Sequence, residues 1–229
     1  MSKQNISNAS QLYTGKGSYP PLFGKNKRNG VPLMAITKVD MGTPDADDPD
    51  GFVISQSLTA LGVFSTDTDV AGALAAAALT GIADVPRNVV AAWTGTAIIT
   101  ITGLDEYGQV MSEASPSGTT FTGAKAFKAI TDITVSADVT LLTVGTGEVF
   151  GLPYVLTTKS DILAFYTNLV EEGNTSTFVA GDSTPATTTT GDVRGTVTPN
   201  TPANNLATVL WMHVQDNGSK EGLVGVTQA

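Results

Sequence analysis

Cysteine is absent from the 229-residue sequence, which excludes disulfide bonds, thiolate zinc sites and thiol catalysis. Histidine occurs once, as His213 in the apolar segment LWMHV. Serine or threonine nucleophiles need a positioned base, and most zinc sites need more than one imidazole. A single histidine in an apolar strand is more often packed or surface-exposed than catalytic. We therefore expect a protein that is not an enzyme and has no cofactor or metal.

Charged residues are also scarce, at 14% of the chain against roughly 25% in ordinary domains. Acidic residues outnumber basic residues by 21 to 12, which gives a net charge of −9. Lys25, Lys27 and Arg28 form the one basic cluster. Proteins that bind nucleic acid need a basic footprint. We therefore predict no nucleic-acid partner and interpret the cluster as a solvated loop or a contact to an acidic protein.

Long hydrophobic runs are lacking too. The longest, Val70–Leu79 (VAGALAAAAL), is about half of the roughly 20 residues that a membrane-spanning helix needs. Alanine favours a short helix here, although a strand of small residues remains an alternative. The first ten residues lack the apolar region of a secretory signal. The expectation is a soluble product of the cytoplasm with no membrane partner.

Three motifs come close to known sites and fail. Gly118–Lys125 lacks the lysine directly after the second glycine that a P-loop requires. Gly145–Gly151 has one residue too many for a dinucleotide fingerprint. The acidic stretch Asp40–Gly51 lacks the EF-hand ligand pattern and is predicted to be a solvated loop, with an incidental calcium site as the alternative. Paired carboxylates for glycoside hydrolysis stay open, without a pair being singled out. The available residues are Asp105, Glu106, Glu113, Glu148 and Asp192.

What the sequence does contain is alternation of apolar and polar residues with period two, which indicates half-buried strands. It is clearest from Asp84 to Leu156, where turn residues recur about every ten positions. We predict an all-β fold, an antiparallel β-sandwich or jelly-roll-like domain over residues 36–229. Trp93, Phe127 and Trp211 are expected in its core. The predicted strands are 31–39, 52–63, 89–93, 97–102, 109–114, 127–135, 141–144, 193–197 and 206–214, with turns at Gly118 and at Gly145–Gly147.

Two segments of the second half are less clear. Lys159–Glu172 fits either a helix face or a strand, and Ser176–Ala180 after it favours a hairpin of two strands. Asp182–Gly191 is rich in threonine, serine and proline, which predicts a surface loop.

Residues 1–35 are predicted to be an extended N-terminal arm. Pro20 and Pro21 force an extended backbone, and glycines interrupt the rest. A free arm would not need its aromatic residues, which could pin it to its own core or to a partner; a disordered tail is the alternative. The candidate contact residues are Leu12, Tyr13, Tyr19, Leu22, Phe23, Lys25, Lys27 and Arg28.

Six strings occur in order along the chain: DVPRNVV, TGLDEYGQVMSE, GAKAFKAITDI, VGTGEVFGLPY, GDVRGTVTP and GLVGVTQA. Together they resemble virion structural proteins of tailed bacteriophages, and more narrowly head decoration (cement) proteins. The resemblance covers about Phe52 to Ala229. It implies a homotrimer on the outer capsid surface that binds the major capsid protein and braces the shell. In the matching strings, Arg87 and Arg194 follow tight turns and are expected to fix those turns through intramolecular ion pairs or carbonyl contacts.

Two other functions compete with decoration. A tail, baseplate or receptor-binding protein of the virion would have the same all-β, weakly charged composition. A carbohydrate-active or other hydrolase is the third candidate, which turnover of a glycan or ester would reveal.

Overall fold

The computed structural model describes residues 34–58, 63–65, 82–172, 176–215 and 224–228. These residues form fourteen β-strands and one short 3₁₀ helix, so the predicted all-β, sandwich-like fold is confirmed. The predicted arm, apart from residues 34–35, and the alanine-rich stretch Val70–Leu79 lie outside the described residues.

The strands are named in chain order. They are β1 Met34–Gly42, β2 Asp48–Leu58, β3 Val63–Ser65, β4 Ile82–Ala97, β5 Ile99–Leu104, β6 Val110–Ala114, β7 Gly118–Thr122, β8 Phe127–Val135, β9 Val139–Gly151, β10 Ile162–Thr167, β11 Val170–Glu171, β12 Thr177–Ala180, β13 Gly195–Thr198 and β14 Thr208–Gln215, with the 3₁₀ helix at Lys159–Asp161.

The smaller sheet has four antiparallel strands in the order β1-β14-β10-β11. Trp211 of β14 lies between Lys38 of β1 and Ala164 of β10. Because side chains alternate along a strand, residues opposite each other share a face. The neighbours of Trp211 in β14, Leu210 and Met212, are fully buried, so the face that carries Trp211 is the outer one.

The larger sheet has ten antiparallel strands and curls as a half-barrel. Two long strands, β4 and β9, hold the curled sheet together because each pairs with several other strands. β4 pairs along its length with β9, and also with both β8 and β7. β9 pairs with β4, and also with β2 and then β13. The sheet therefore branches, and its two ends can enclose separate cores.

The described residues form two hydrophobic clusters. The first lies within the curled sheet around Ile99, Ile101 and Leu142, all fully buried. The second lies between the small sheet and the end of β9, where Phe150 packs with residues such as Leu210 of β14. Trp93 and Phe127 are in the first cluster, as predicted. Trp211 is 38% exposed, so its prediction as a core residue was wrong.

The predicted turn at Gly145–Gly147 is also wrong, because β9 runs straight through it. A Cβ atom on Gly145 would lie 1.8 Å from the carbonyl oxygen of Asp48 on the neighbouring strand β2. A Cβ atom on Gly147 would lie 2.5 Å from the side chain of Asn88 on β4. Glycine occurs here because atoms of the adjacent strands approach its backbone closely. Such close approach is one of the usual reasons for glycine inside a strand.

Other boundaries differ from the prediction. Gly118 begins strand β7 rather than making a turn, and Asp84–Asn88 lies within β4. The acidic segment Asp40–Gly51 is partly strand, since β1 continues to Gly42 and β2 starts at Asp48. Main-chain pairing to β14 and β9 outweighs the low strand propensity of aspartate.

The strand in Lys159–Glu172 is confirmed as β10, but its predicted hairpin with residues 176–180 is wrong. β10 turns at Asn168 and Leu169, both with positive φ, and pairs with β11. Strand β12 instead joins β13 in the larger sheet. The segment 182–191 is a loop, as predicted.

Candidate interaction surface

Arg194 and Asp105 form a buried ion pair, with Nη1 and Oδ2 3.0 Å apart and side chains 3% and 0% exposed. The other oxygen of Asp105 accepts hydrogen bonds from the backbone N–H groups of Tyr107 and Gln109. Arg194 also donates through Nε to the carbonyl of Leu152, and its guanidinium lies 5.1 Å from the Tyr107 ring. The pair therefore fixes the β5–β6 turn against the second core. The predicted ion pair and carbonyl contact of Arg194 are confirmed, but the turn that they fix is not the one that Arg194 follows in the chain.

Arg87 of β4 plays a similar role, since it attaches a neighbouring connection to its strand. It forms an ion pair with Asp84, at 3.0 Å, and donates to the carbonyls of Asp45 and Ala46. Its guanidinium lies over the Phe150 ring at 5.1 Å. These contacts attach the β1–β2 connection to β4, so the predicted carbonyl and ion-pair contacts of Arg87 are confirmed.

The segment that nearly matches a P-loop is occupied by the protein itself. The backbone N–H groups of Ala124 and Lys125 donate to the carboxylate of Glu113, at 2.7 and 3.3 Å. The ammonium of Lys125 donates to the carbonyls of Ser112 and Thr187. Burial raises the pKa of Glu113 and lowers the pKa of Lys125, because both lose solvation. Donors that would bind a phosphate in a P-loop are thus used inside the fold.

Most carboxylates considered for glycoside hydrolysis are likewise engaged in internal hydrogen bonds. Asp192 accepts bonds from the N–H groups of Ala126 and Arg194 and from the amide of Gln228. Glu148 accepts the N–H groups of Asp47 and Ala203. Asp105 and Glu113 are described above, and burial raises the pKa of Glu106. Asp105, Glu113, Glu148 and Asp192 thus all accept hydrogen bonds from within the fold.

An acidic cleft of about 460 Å³ lies beside the β1–β2 connection, and Asp45, Asp47, Asp48 and Asp84 line it together with Arg87. Burial and a hydrogen bond to the Asp50 carboxyl raise the pKa of Asp48. Among the described residues, no group of three or more carboxylate or histidine side chains is arranged to hold a metal ion. The cleft therefore offers negative charge without a formed ligand set.

The outer face of the four-stranded sheet carries exposed apolar side chains. Ile36 is 55% exposed and Trp211 is 38% exposed, and their strands are adjacent. We call this surface the Trp211 face. It comprises Ile36, Lys38 and Asp40 of β1, Val209, Trp211 and His213 of β14, Ala164 and Tyr166 of β10, and Glu171 of β11. Sequence reasoning missed it, because a pattern of period two does not tell which side of a sheet is covered.

The Trp211 face carries one ion pair and one further acidic side chain, Glu171 of β11, which is exposed and lies opposite Tyr166. Lys38 and Asp40 form an ion pair at 3.0 Å, and both side chains are exposed. The Lys38 ammonium and the Gly42 N–H group lower the pKa of Asp40. In a chain with net charge −9, this pairing leaves the centre of the face close to neutral. Such a surface can approach another protein with little electrostatic cost.

All eight contact residues predicted in the arm, from Leu12 to Arg28, lie outside the described residues. The described part of the chain contains no helix with the length and hydropathy to cross a membrane. Comparisons with protein-family models, with curated proteins and with solved structures gave no match for this chain.

Proposed function

We propose that the protein decorates the head of a tailed bacteriophage, where it binds the outer surface of the major capsid protein lattice and braces it. The observation that carries the proposal is the Trp211 face, a surface with exposed apolar side chains and few charges on the four-stranded sheet. The resemblance of six sequence strings to head decoration proteins supports the same function.

The buried charges support a mechanical role. Arg87, Arg194, Lys125 and Glu113 all make contacts within the fold, and the contacts of Arg87 and Arg194 tie connections and turns to the cores. A rigid scaffold of this kind keeps an interaction surface in one shape, which reduces the entropy lost on binding. The capsid shell would therefore contact a surface of fixed shape.

The proposed contact works by removing apolar surface from water, at roughly 25 cal/mol per Å². The Trp211 face is about 30 Å long and about 15 Å wide, from strand rise and spacing. Its area of roughly 450 Å² is less than the ~800 Å² that each partner buries in a stable interface. A decoration protein with this face needs further contacts. The N-terminal residues Leu12 to Arg28 are the proposed second contact.

The experiment mixes the purified protein with heads that lack it and measures co-sedimentation. Trp211→Ser is expected to weaken binding about 30-fold, because central tryptophans contribute about 2 kcal/mol or more to interfaces. Deletion of residues 2–33 should weaken it as well. Val179→Ser removes a comparably exposed apolar side chain on β12, outside the Trp211 face, and should bind like the wild type. Equal binding of Trp211→Ser and wild type would contradict the proposed contact.

A further inference from the structure

Among the described residues, strand β1 lies at the edge of the four-stranded sheet. Within the described ranges it pairs only with β14, over the register from Met34–Gln215 to Gly42–Thr208. Its other side carries a row of backbone N–H and C=O groups about nine residues long. Such an edge is a template for another strand unless something on it prevents pairing.

Charged side chains commonly prevent pairing at an edge, and a lone lysine does so by repelling its own copy. β1 carries instead Lys38 and Asp40, which are two residues apart and on the same face. A sequence Lys-x-Asp is self-complementary in an antiparallel arrangement, because the second copy presents its charges in reverse order. The charge pattern therefore permits one particular register and opposes its neighbours.

We propose that two copies of the protein pair through their β1 edges, antiparallel, about a two-fold axis at Val39. In this register Lys38 lies opposite Asp40 of the second copy, and Asp40 lies opposite its Lys38. A shift that centres the axis on Lys38 or on Asp40 places like charges opposite each other, which destabilises a strand pair. With the ion pair already present in each copy, the four side chains form a ring of alternating charge.

The pairing joins two four-stranded sheets into one sheet of eight strands. The two Trp211 faces then lie on the same side, since directly opposite residues share a face. Their combined area, roughly 900 Å², reaches the size that a stable interface needs on each partner. Two linked faces also bind a repeating surface more tightly than one, by effective concentration. This consequence rests on the proposed head contact, whereas the pairing itself does not.

The pairing predicts a dimer or an assembly built from dimers. The homotrimer implied by the sequence resemblance has no two-fold axis, so the mass of the free protein distinguishes the two. The dimer depends on the edge position and the charge order of β1, so association can be measured in the absence of heads.

The test uses two single charge reversals in the full chain. In Lys38→Asp both charged positions of β1, 38 and 40, carry acidic residues. In Asp40→Lys both carry basic residues. Each variant alone should dimerise at least tenfold more weakly than wild type in sedimentation velocity, because like charges then face each other. An equimolar mixture should form heterodimers, since every cross-strand pair is again of opposite sign. This recovery occurs although the ion pair within each copy stays broken.

The control is Asp138→Lys, which makes the same change in charge as Asp40→Lys at an exposed position between β8 and β9; it should dimerise like wild type. Thermal unfolding of each variant checks that the fold is intact. A wild-type protein that stays monomeric, a trimer that neither reversal affects, or a mixture that fails to associate would each overturn the proposal. Association that is lost on deletion of residues 2–33 but insensitive to both reversals would overturn it too.

Discussion

Replacement of Arg194 with methionine is expected to lower the free energy of unfolding by about 3–5 kcal/mol, because it leaves the Asp105 carboxylate buried without its counter-ion. The Asp105 side chain is fully buried, so water cannot take the place of the guanidinium. The Leu152 carbonyl loses its hydrogen bond as well. Denaturant unfolding of the variant beside the wild type measures the change.

A double variant separates the unpaired charge from the lost packing. Adding Asp105→Asn to Arg194→Met removes the buried charge while one oxygen remains for the N–H groups of Tyr107 and Gln109. The double variant should be more stable than Arg194→Met alone. Lys38→Met removes an exposed ion pair and should change stability little. A double variant that is no more stable than Arg194→Met would contradict the unpaired Asp105 charge as the cause of the loss.

Substitution of Gly145 by alanine is the second large effect that we expect. The new Cβ atom would overlap the Asp48 carbonyl at 1.8 Å, and further backbone atoms of Pro49 and Asp50 lie within 2.7 Å. Backbone cannot move aside as a flexible side chain can, so β2 must separate from β9 at this point. The loss should reach or exceed about 3 kcal/mol, the upper end for overpacking. Unfolding by denaturant measures it.

Gly118→Ala is the matched control, since its nearest neighbours lie 4.0 Å from the added Cβ atom. Alanine restricts the unfolded chain more than glycine does, so this variant should be as stable as wild type or slightly more stable. A Gly145→Ala protein that unfolds at the same denaturant concentration as Gly118→Ala would contradict the close approach of β2 and β9.

Gly145 and Gly118 show how much of the fold could be predicted from the sequence. The alternation of apolar residues predicted the β class and most strands, because period two is a local property of the chain. Glycine was interpreted as a turn signal at 145–147 and 118, and in both places it lies in a strand. Close approach of two strands depends on which strands are neighbours, and that is decided by tertiary structure. The same reason explains why β12 pairs with β13 rather than β10.

The surface was harder to predict than the fold. Trp211 was expected in the core on its size, yet it lies on the open side of the small sheet. The alternation in β14 is equally compatible with either face inward, and only the packing of Leu210 and Met212 against the second core decides. By contrast, the contacts of Arg87 and Arg194 could be anticipated, because an arginine beside a turn in an apolar sequence needs an anion or carbonyls.

The most direct test of the account is to locate the protein on intact virions whose genome encodes it, by labelling and electron microscopy. A decoration protein should appear as a regular lattice over the outer surface of the head. Label confined to the tail would contradict decoration and favour the tail or receptor-binding alternative. Virions without label would contradict a structural role altogether.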